Sequence, residues 1–420
     1  MHVAGTNGKG SVCSMLAAAL AGGGAVRSAT ATHGLTQKTS ANCPAPRQVG
    51  LYTSPHLLDF RERMKIVSGD EYEMISREEV WEFLNVYEAE LEGLSFFEVT
   101  TGMAFWWFAK RGVNAAVIEA GLGGRLDSTN IITPVLSVIT SIGLDHCALL
   151  GSTRSAIAWE KAGIFKPGVP AVVGVRDDET APVFEAAALV LGTPLTFASD
   201  IPEFDGESDL LARMDLTGPC QNLNLHTVLV ALAVIASPTA LTATADNAPP
   251  ICDGPLPLSR GWRRSCEAIP SSAKITGLWG RWQLVCREPE VICDIGHNPP
   301  ALKENFGRLE GLQREGRNLV IVYGIMADKD LAGIAPMMPA DATYILTAPD
   351  SPRSMPAEEL AVRLAELRPE IKAITVPAVA DAVRRALTLA QDLPKPLIYI
   401  GGSTFVVAEA LPLFNETTEP

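Results

Sequence analysis

The stretch "HVAGTNGKGS" sets Gly5, Thr6, Asn7, Gly8, Lys9, Gly10 and Ser11 between a short apolar segment and an Ala- and Leu-rich one. Glycines at this spacing let backbone N–H groups close on phosphate oxygens, and the following helix N-terminus adds partial positive charge. Lys9 can reach terminal phosphates, and the Ser11 hydroxyl can ligate Mg²⁺. The loop departs from the usual G-x-x-x-x-G-K-[ST] pattern, because Val3 stands at the first glycine and Gly10 follows the lysine. Three further stretches carry reactive types. Glu119 ends the apolar run in "VIEAGLGG", where an α/β sheet collects its ligand sites and where a carboxylate can hold a phosphate-bound metal. Capping or ion pairing would explain Glu119 equally well. Asp145 and His146 end "SIGLDH", and Lys161 sits in "EKAGIF". A lone histidine is more often structural than ligating, and a lone helical lysine reads as a solvated surface group.

The elements that must position these groups alternate. Residues 11–22 form a helix, and "VWEFLNVYEAEL", "TTGMAFWWFAKRG", "IAWEKAGIF" and "NLHTVLVALAVIAS" are helical. "AAVIEAGLGG", "VLSVITSIGLDH" and "PAVVGV" are buried strands. From about residue 280, "EVICDIGHNP", "NLVIVYGIM", "ATYILTA", "KAITV" and "PLIYIGGS" give a second alternating section. The fold class is therefore α/β, with a P-loop-type, mostly parallel sheet domain expected at 1–277 and a smaller Rossmann-like α/β domain at 278–420. Residues 24–49 show no apolar period and read as an insertion or disordered loop, and the Pro-, Ala- and Thr-rich residues 237–258 read as loop.

With 420 residues, 47% of them apolar and 20% charged, the chain has the composition of a two-domain globular protein. A net charge of -14 argues against a nucleic-acid partner, which needs a basic face. The 8 cysteines include no C-x-x-C pair and are expected as free thiols in a reducing cytoplasm. The longest apolar run, around Val228 to Ala236, is too short to span a bilayer.

In order along the chain, "HVAGTNGKGS", "LYTSPHL", "RERMKI", "FFEVTT", "EAGLGGRLDSTN", "TSIGLDH", "EKAGIFKPG", "GRWQ" and "DIGHNP" resemble folylpolyglutamate synthase and bacterial bifunctional dihydrofolate synthase, members of the Mur ligase superfamily. The resemblance implies ATP-dependent joining of L-glutamate to a folate or dihydropteroate carboxylate through an acyl phosphate. It implies that the loop Gly5–Ser11 holds ATP, with Asn224 near the nucleotide and Arg281 and Asp294 contacting it from the second domain. Ser11 and Glu119 would bind one Mg²⁺, and His146 would help bind a second. Lys161 matches a lysine carbamylated by CO₂ and so made a metal-supporting anion. Lys9, His146, Lys161 and His297 would be the catalytic set. Ser54, Pro55, His56, Phe97, Glu98 and Thr100 match the pterin and folate site. Relatives carry some forty residues before the first strand, so the chain reads as truncated, which puts dihydropteroate use in question. The further expectations are a monomer with only small-molecule partners. The competing functions are a Mur-type UDP-sugar peptide ligase, disfavoured by "TSPHL" and "FFEVTT", and a P-loop NTPase regulator, disfavoured by "DIGHNP" and Lys161.

Overall fold

The computed structural model describes residues 1–22, 47–236 and 265–414. The loop readings for 24–46 and 237–258 fall outside these. Residues 48 and 49, read as the end of the insertion, instead open a buried strand. By its own internal contacts the chain separates into two units, one of Met1–Asp215 with Gln221–Leu278 and one of Trp279–Pro420 with Leu216–Cys220.

The first unit is built on eight strands: β1 (His2–Ala4), β2 (Gln48–Tyr52), β3 (Met64–Ser68), β4 (Glu71–Met74), β5 (Ala115–Glu119), β6 (Ser137–Ile139), β7 (Ala171–Val173) and β8 (Leu195–Phe197). Their order is β4-β3-β2-β5-β1-β6-β7-β8. All neighbours are parallel except the β2–β3 and β3–β4 pairs. Parallel strands are covered on both faces, which is why β1, β5, β6 and β7 are short and apolar instead of alternating. β1 lies between β5 and β6, and later strands run outward from it on both sides. The loops leaving the carboxyl ends of β1, β5 and β6 therefore open into one crevice, the usual ligand position of such a sheet.

The helix Lys9–Gly22 has Val12, Met15, Leu16 and Ala17 through Ala19 fully buried. A helix apolar on all sides belongs inside, and this one packs between β5 and the helices Gln221–Ala236 and Ser272–Thr276. The antiparallel pair β3–β4, the strand β8 and the helix Ala181–Leu191 were not legible as elements. The helix expected across residues 80–91 ends earlier, at Val86.

The second unit holds β9 (Gln283–Arg287), β10 (Glu290–Asp294), β11 (Asn318–Tyr323), β12 (Thr343–Leu346), β13 (Lys372–Thr375) and β14 (Pro396–Gly401). Their order is β13-β12-β11-β14-β10-β9, parallel apart from β9. Its core gathers Phe306, Tyr323, Tyr344 and Tyr399 from helix and strands. Both units are α/β, as the alternation required.

Candidate active site

The phosphate-type loop is pinned to β6 by its backbone. Thr6 N–H donates to Ser141 O at 2.7 Å, and the Thr6 hydroxyl donates to Gly143 O at 3.1 Å and accepts Gly143 N–H at 3.0 Å. Thr140 Oγ1 donates to Asn7 O at 2.6 Å. Gly8 adopts φ +85°, and a Cβ there would lie 2.3 Å from Asn224 Oδ1, so only glycine gives both the turn and the close approach. Asn224 is thus brought against the loop, and Nδ2 donates to Gln221 Oε1 at 3.0 Å. Gln221 Nε2 in turn donates to Ser11 Oγ at 3.4 Å. The Lys9 ammonium folds back on its own loop, donating to Gly5 O and Thr6 O at 3.0 Å each.

Glu119 ends β5 opposite Val3 of β1 and is 2% exposed. Its Oε2 accepts Ser54 N–H at 3.2 Å, which joins "TSPHL" to the same strand ends. Glu119 and Ser11 each offer a hard oxygen of the type Mg²⁺ takes, an ion that accepts one or two carboxylates and leaves other positions to water and phosphate. Among the described residues no three His, Cys, Asp or Glu side chains converge as a metal cage. His146 caps a short helical turn at φ +51°, with its side chain 42% exposed and Nε2 3.9 Å from Asp145 Oδ2.

Lys161 overturns the surface reading of a helical lysine. It is 4% exposed, and Nζ donates to Gly5 O of the phosphate loop at 2.8 Å. Burial, followed by the charge of Lys9, pulls its pKa from the usual 10.5 to about 7, against the opposing pull of Asp145 and Asp127. Its helix is seated by the loop after β5. Asn130 Nδ2 donates to Gly163 O at 2.9 Å, Arg125 N–H donates to Glu160 O at 2.8 Å, and a Cβ on Gly163 would stand 2.3 Å from Arg125 Cβ. The glycines of "GLGG" and "EKAG" are what let the two segments touch.

The residues expected at the pterin site divide. Ser54, Pro55 and His56 lie on the loop after β2, beside an aromatic cluster in which Phe96 stands 6.3 Å from both His56 and Phe60 by ring centroids. The Phe97 ring packs over Gly121, where a Cβ would come within 2.4 Å. Glu98 and Thr100 also have structural partners. The Glu98 carboxylate reaches back to Ser95 N–H at 2.7 Å as half of a capping box, and Thr100 is buried at 1% exposure, hydrogen-bonded to the Tyr52 hydroxyl at 3.1 Å. Both hold the helix Phe96–Arg111 and its neighbour in place. The sequence signal for this was present, since S-x-x-E before an apolar run is a helix-start pattern.

In the second unit, Asp294 is likewise occupied. Its oxygens accept Trp282 N–H at 2.8 Å, Gly296 N–H at 2.7 Å and Asn305 Nδ2 at 2.6 Å. It binds "GRWQ" to "DIGHN", so Arg281 and His297 lie on loops tied by one buried carboxylate. Burial pushes that carboxyl above the usual range, and these bonds oppose the shift. His297 Nδ1 donates to Ile295 O at 2.9 Å.

Residues 280–404 match the model of the Mur ligase, glutamate ligase domain. The dihydrofolate synthase/folylpolyglutamate synthase of Escherichia coli (strain K12) is 32% identical over 362 residues, 85% of this chain and 75% of that protein. The folylpolyglutamate synthase of Lacticaseibacillus casei is 31% identical over 438 residues, 97% of this chain and 88% of that protein. The chain belongs to the folylpolyglutamate synthase/dihydrofolate synthase family. Among solved members, E. coli FolC in complex with DHPP and ADP superposes with a TM-score of 0.72 at 26% identity, covering 99% of this chain and 88% of that one. The Yersinia pestis bifunctional enzyme complexed with AMPPNP and Mn ion gives 0.71 at 28% identity, with the same coverage of 99% and 88%. No described helix is long and apolar enough to cross a membrane.

Proposed function

We propose that this chain joins L-glutamate to the carboxylate of a dihydropteroate or folate at the expense of ATP. The substrate carboxylate oxygen attacks the γ-phosphorus, and ADP leaves with the electron pair of the cleaved P–O bond. The glutamate amine then attacks the acyl carbon of the mixed anhydride, loses a proton, and inorganic phosphate departs. Such a sequence needs no covalent enzyme nucleophile; it needs positioning, charge neutralisation and exclusion of water. Lys9 and the backbone N–H groups from Gly8 to Ser11 receive the phosphates. Ser11 and Glu119 hold Mg²⁺, which would neutralise phosphate charge in the transferring state. Asn224 braces the loop at Gly8. In the second unit, Asp294 fixes the turn that carries Arg281 and His297.

Lys161 is the observation that carries this reading. A fully buried amine whose pKa is drawn to about 7 is substantially unprotonated near neutrality. That state can add CO₂, releasing one proton and leaving a carbamate anion. An ammonium here would oppose both Lys9 and a bound cation, whereas a carbamate would support them. We infer that Lys161 is carbamylated in the working enzyme, that the enzyme is a monomer, and that it works in the cytoplasm, in keeping with the free state of all described cysteines.

The test is a coupled assay of ADP release with dihydropteroate and with tetrahydrofolate as alternative acceptors. ADP release that requires both glutamate and a pterin acceptor supports ligation. Release that is indifferent to both would leave a plain NTPase. Carbon-13-labelled CO₂ should give a carbamate NMR signal that disappears in Lys161→Ala.

A further inference from the structure

Arg63 is a buried cation that no sequence argument singled out. It is the last residue of the 3-10 turn Phe60–Arg63, immediately before β3, and is 9% exposed. Among the described residues no carboxylate lies within ion-pairing distance of it. The neighbouring Glu62 carboxylate is spent on three backbone N–H groups, of Leu57, Leu58 and Asp59, each at 2.8 Å. The Nε of Arg63 donates to His56 Nδ1 at 2.9 Å, and its guanidinium carbon sits 5.3 Å from the centre of the Phe96 ring. The Tyr52 hydroxyl lies beside it, and Glu119 is near enough to act on its charge. Leaving a buried guanidinium without a counter-ion is costly, and such groups are kept where an anion arrives to pair with them.

The surroundings state which anion. Phe96 is 55% exposed and forms, with His56 and Phe60, an aromatic wall on the approach side. Ser54 on the same loop bonds Glu119, the carboxylate assigned to the metal. Arg63 therefore stands where an apolar, flat-ring surface gives way to the metal and phosphate end of the crevice. A ligand with an aromatic ring terminated by a carboxylate matches that gradient: ring on Phe96, carboxylate on the guanidinium. With Nε committed to His56 and the Tyr52 hydroxyl also bonding the guanidinium, the remaining Nη hydrogens are the donors left for carboxylate oxygens.

We propose that Arg63 binds the reacting carboxylate of the pterin substrate and holds it toward the phosphate to be transferred, with His56 fixing the guanidinium plane. The proposal rests on the function given above. Its content is a pairing between one side chain and one substrate group.

The experiment is a binding cycle on the full chain. Wild type and Arg63→Gln are titrated with dihydropteroate and with its decarboxylated analogue, in which aniline replaces p-aminobenzoate, and with ADP as a control. Arg63→Gln should lose about ten- to a hundred-fold affinity for dihydropteroate, the scale of a charge-assisted pair. Its affinity for the decarboxylated analogue and for ADP should not change. Arg63→Lys keeps the charge without the fork and should recover part of the loss. It also carries the test if the glutamine variant fails to fold, because loss of dihydropteroate affinity alone is then the expected result. Equal losses for both ligands would overturn the proposal and leave Arg63 as a buttress of the aromatic wall, as would no loss for either. Failure of the function itself looks different: wild type would bind neither pterin, and the proposal would fall with it.

Discussion

Replacing Lys161 by Met tests the site through stability as well as through catalysis. In the folded protein the amine titrates at about 7 instead of 10.5 because it is buried beside Lys9. Between those values the unfolded chain binds the proton and the folded chain does not. Stability must therefore rise with pH across that window and be lowest below pH 7, where the buried amine is charged. For a single group with these two values, the gain from pH 7 to pH 9 is about 2 kcal/mol, and the full window corresponds to roughly 5 kcal/mol. Lys161→Met keeps the aliphatic volume and has no proton to lose. Urea unfolding under CO₂-free conditions at pH 6, 7 and 9 should show wild type gaining about 2 kcal/mol on the variant between pH 7 and 9. Taking the difference between the two proteins cancels the other titrating groups, including Lys65, which burial draws down to about 8. Added bicarbonate should stabilise wild type near pH 8 and leave the variant unchanged, while ligation is lost in the variant. Parallel pH–stability curves for the two proteins would refute a depressed pKa at Lys161 and remove the physical basis for a carbamate.

Lys9→Ala should abolish ATP turnover and leave the unfolding midpoint nearly unchanged, because among the described residues the ammonium bonds to carbonyls of its own loop; near-normal turnover would mean that phosphates bind elsewhere. In Gly163→Ala the new methyl would meet Arg125 Cβ at 2.3 Å, so the helix bearing Lys161 must move off the loop after β5. We expect kcat to fall at least about ten-fold by misplacement of the site, with ADP affinity less affected. His226 lies within hydrogen-bonding distance of Glu207 at Nδ1 and of Ala198 O and Ile201 O at Nε2, between 2.9 and 3.1 Å. The bonds with Glu207 and these carbonyls raise its pKa despite burial, so the folded state favours the charged ring. Its contribution is complete below the unfolded value of about 6.5 and is lost as pH rises through the higher folded value. The stability gap between wild type and His226→Gln should accordingly shrink from pH 6 to pH 8 in chemical unfolding, and a gap that widens would contradict the assignment.

The sequence alone determined what depends on local order. Three glycines and a lysine between an apolar strand and an Ala-rich helix specify a backbone turn with donors facing outward, whatever surrounds it. The apolar runs ending in Glu119 and Asp294 likewise specify strand ends in parallel sheets, since such strands are buried on both faces, whereas the strand before Asp145 already stops at Ile139 and leaves Asp145 and His146 on the loop beyond it. Elements with weaker local contrast escaped: β3 and β4 carry Lys, Glu and Ser between their apolar residues, and β9 reads as polar, because their stability comes from neighbours distant in sequence. What only the tertiary structure decided is the electrostatic state of each side chain. Lys161 and Arg63 look like any surface cations in the sequence. They become a low-pKa amine and an anion-seeking guanidinium because segments far along the chain enclose them, the phosphate loop and the loop after β5 in one case and the helix starting at Phe96 in the other. Glu98, Thr100 and Asp294, which the resemblance implies as ligand contacts, also hold caps and turns. Burial and hydrogen-bond partners are sums over the whole fold, so residue type and spacing name the candidates, and the packing assigns their charge and their task.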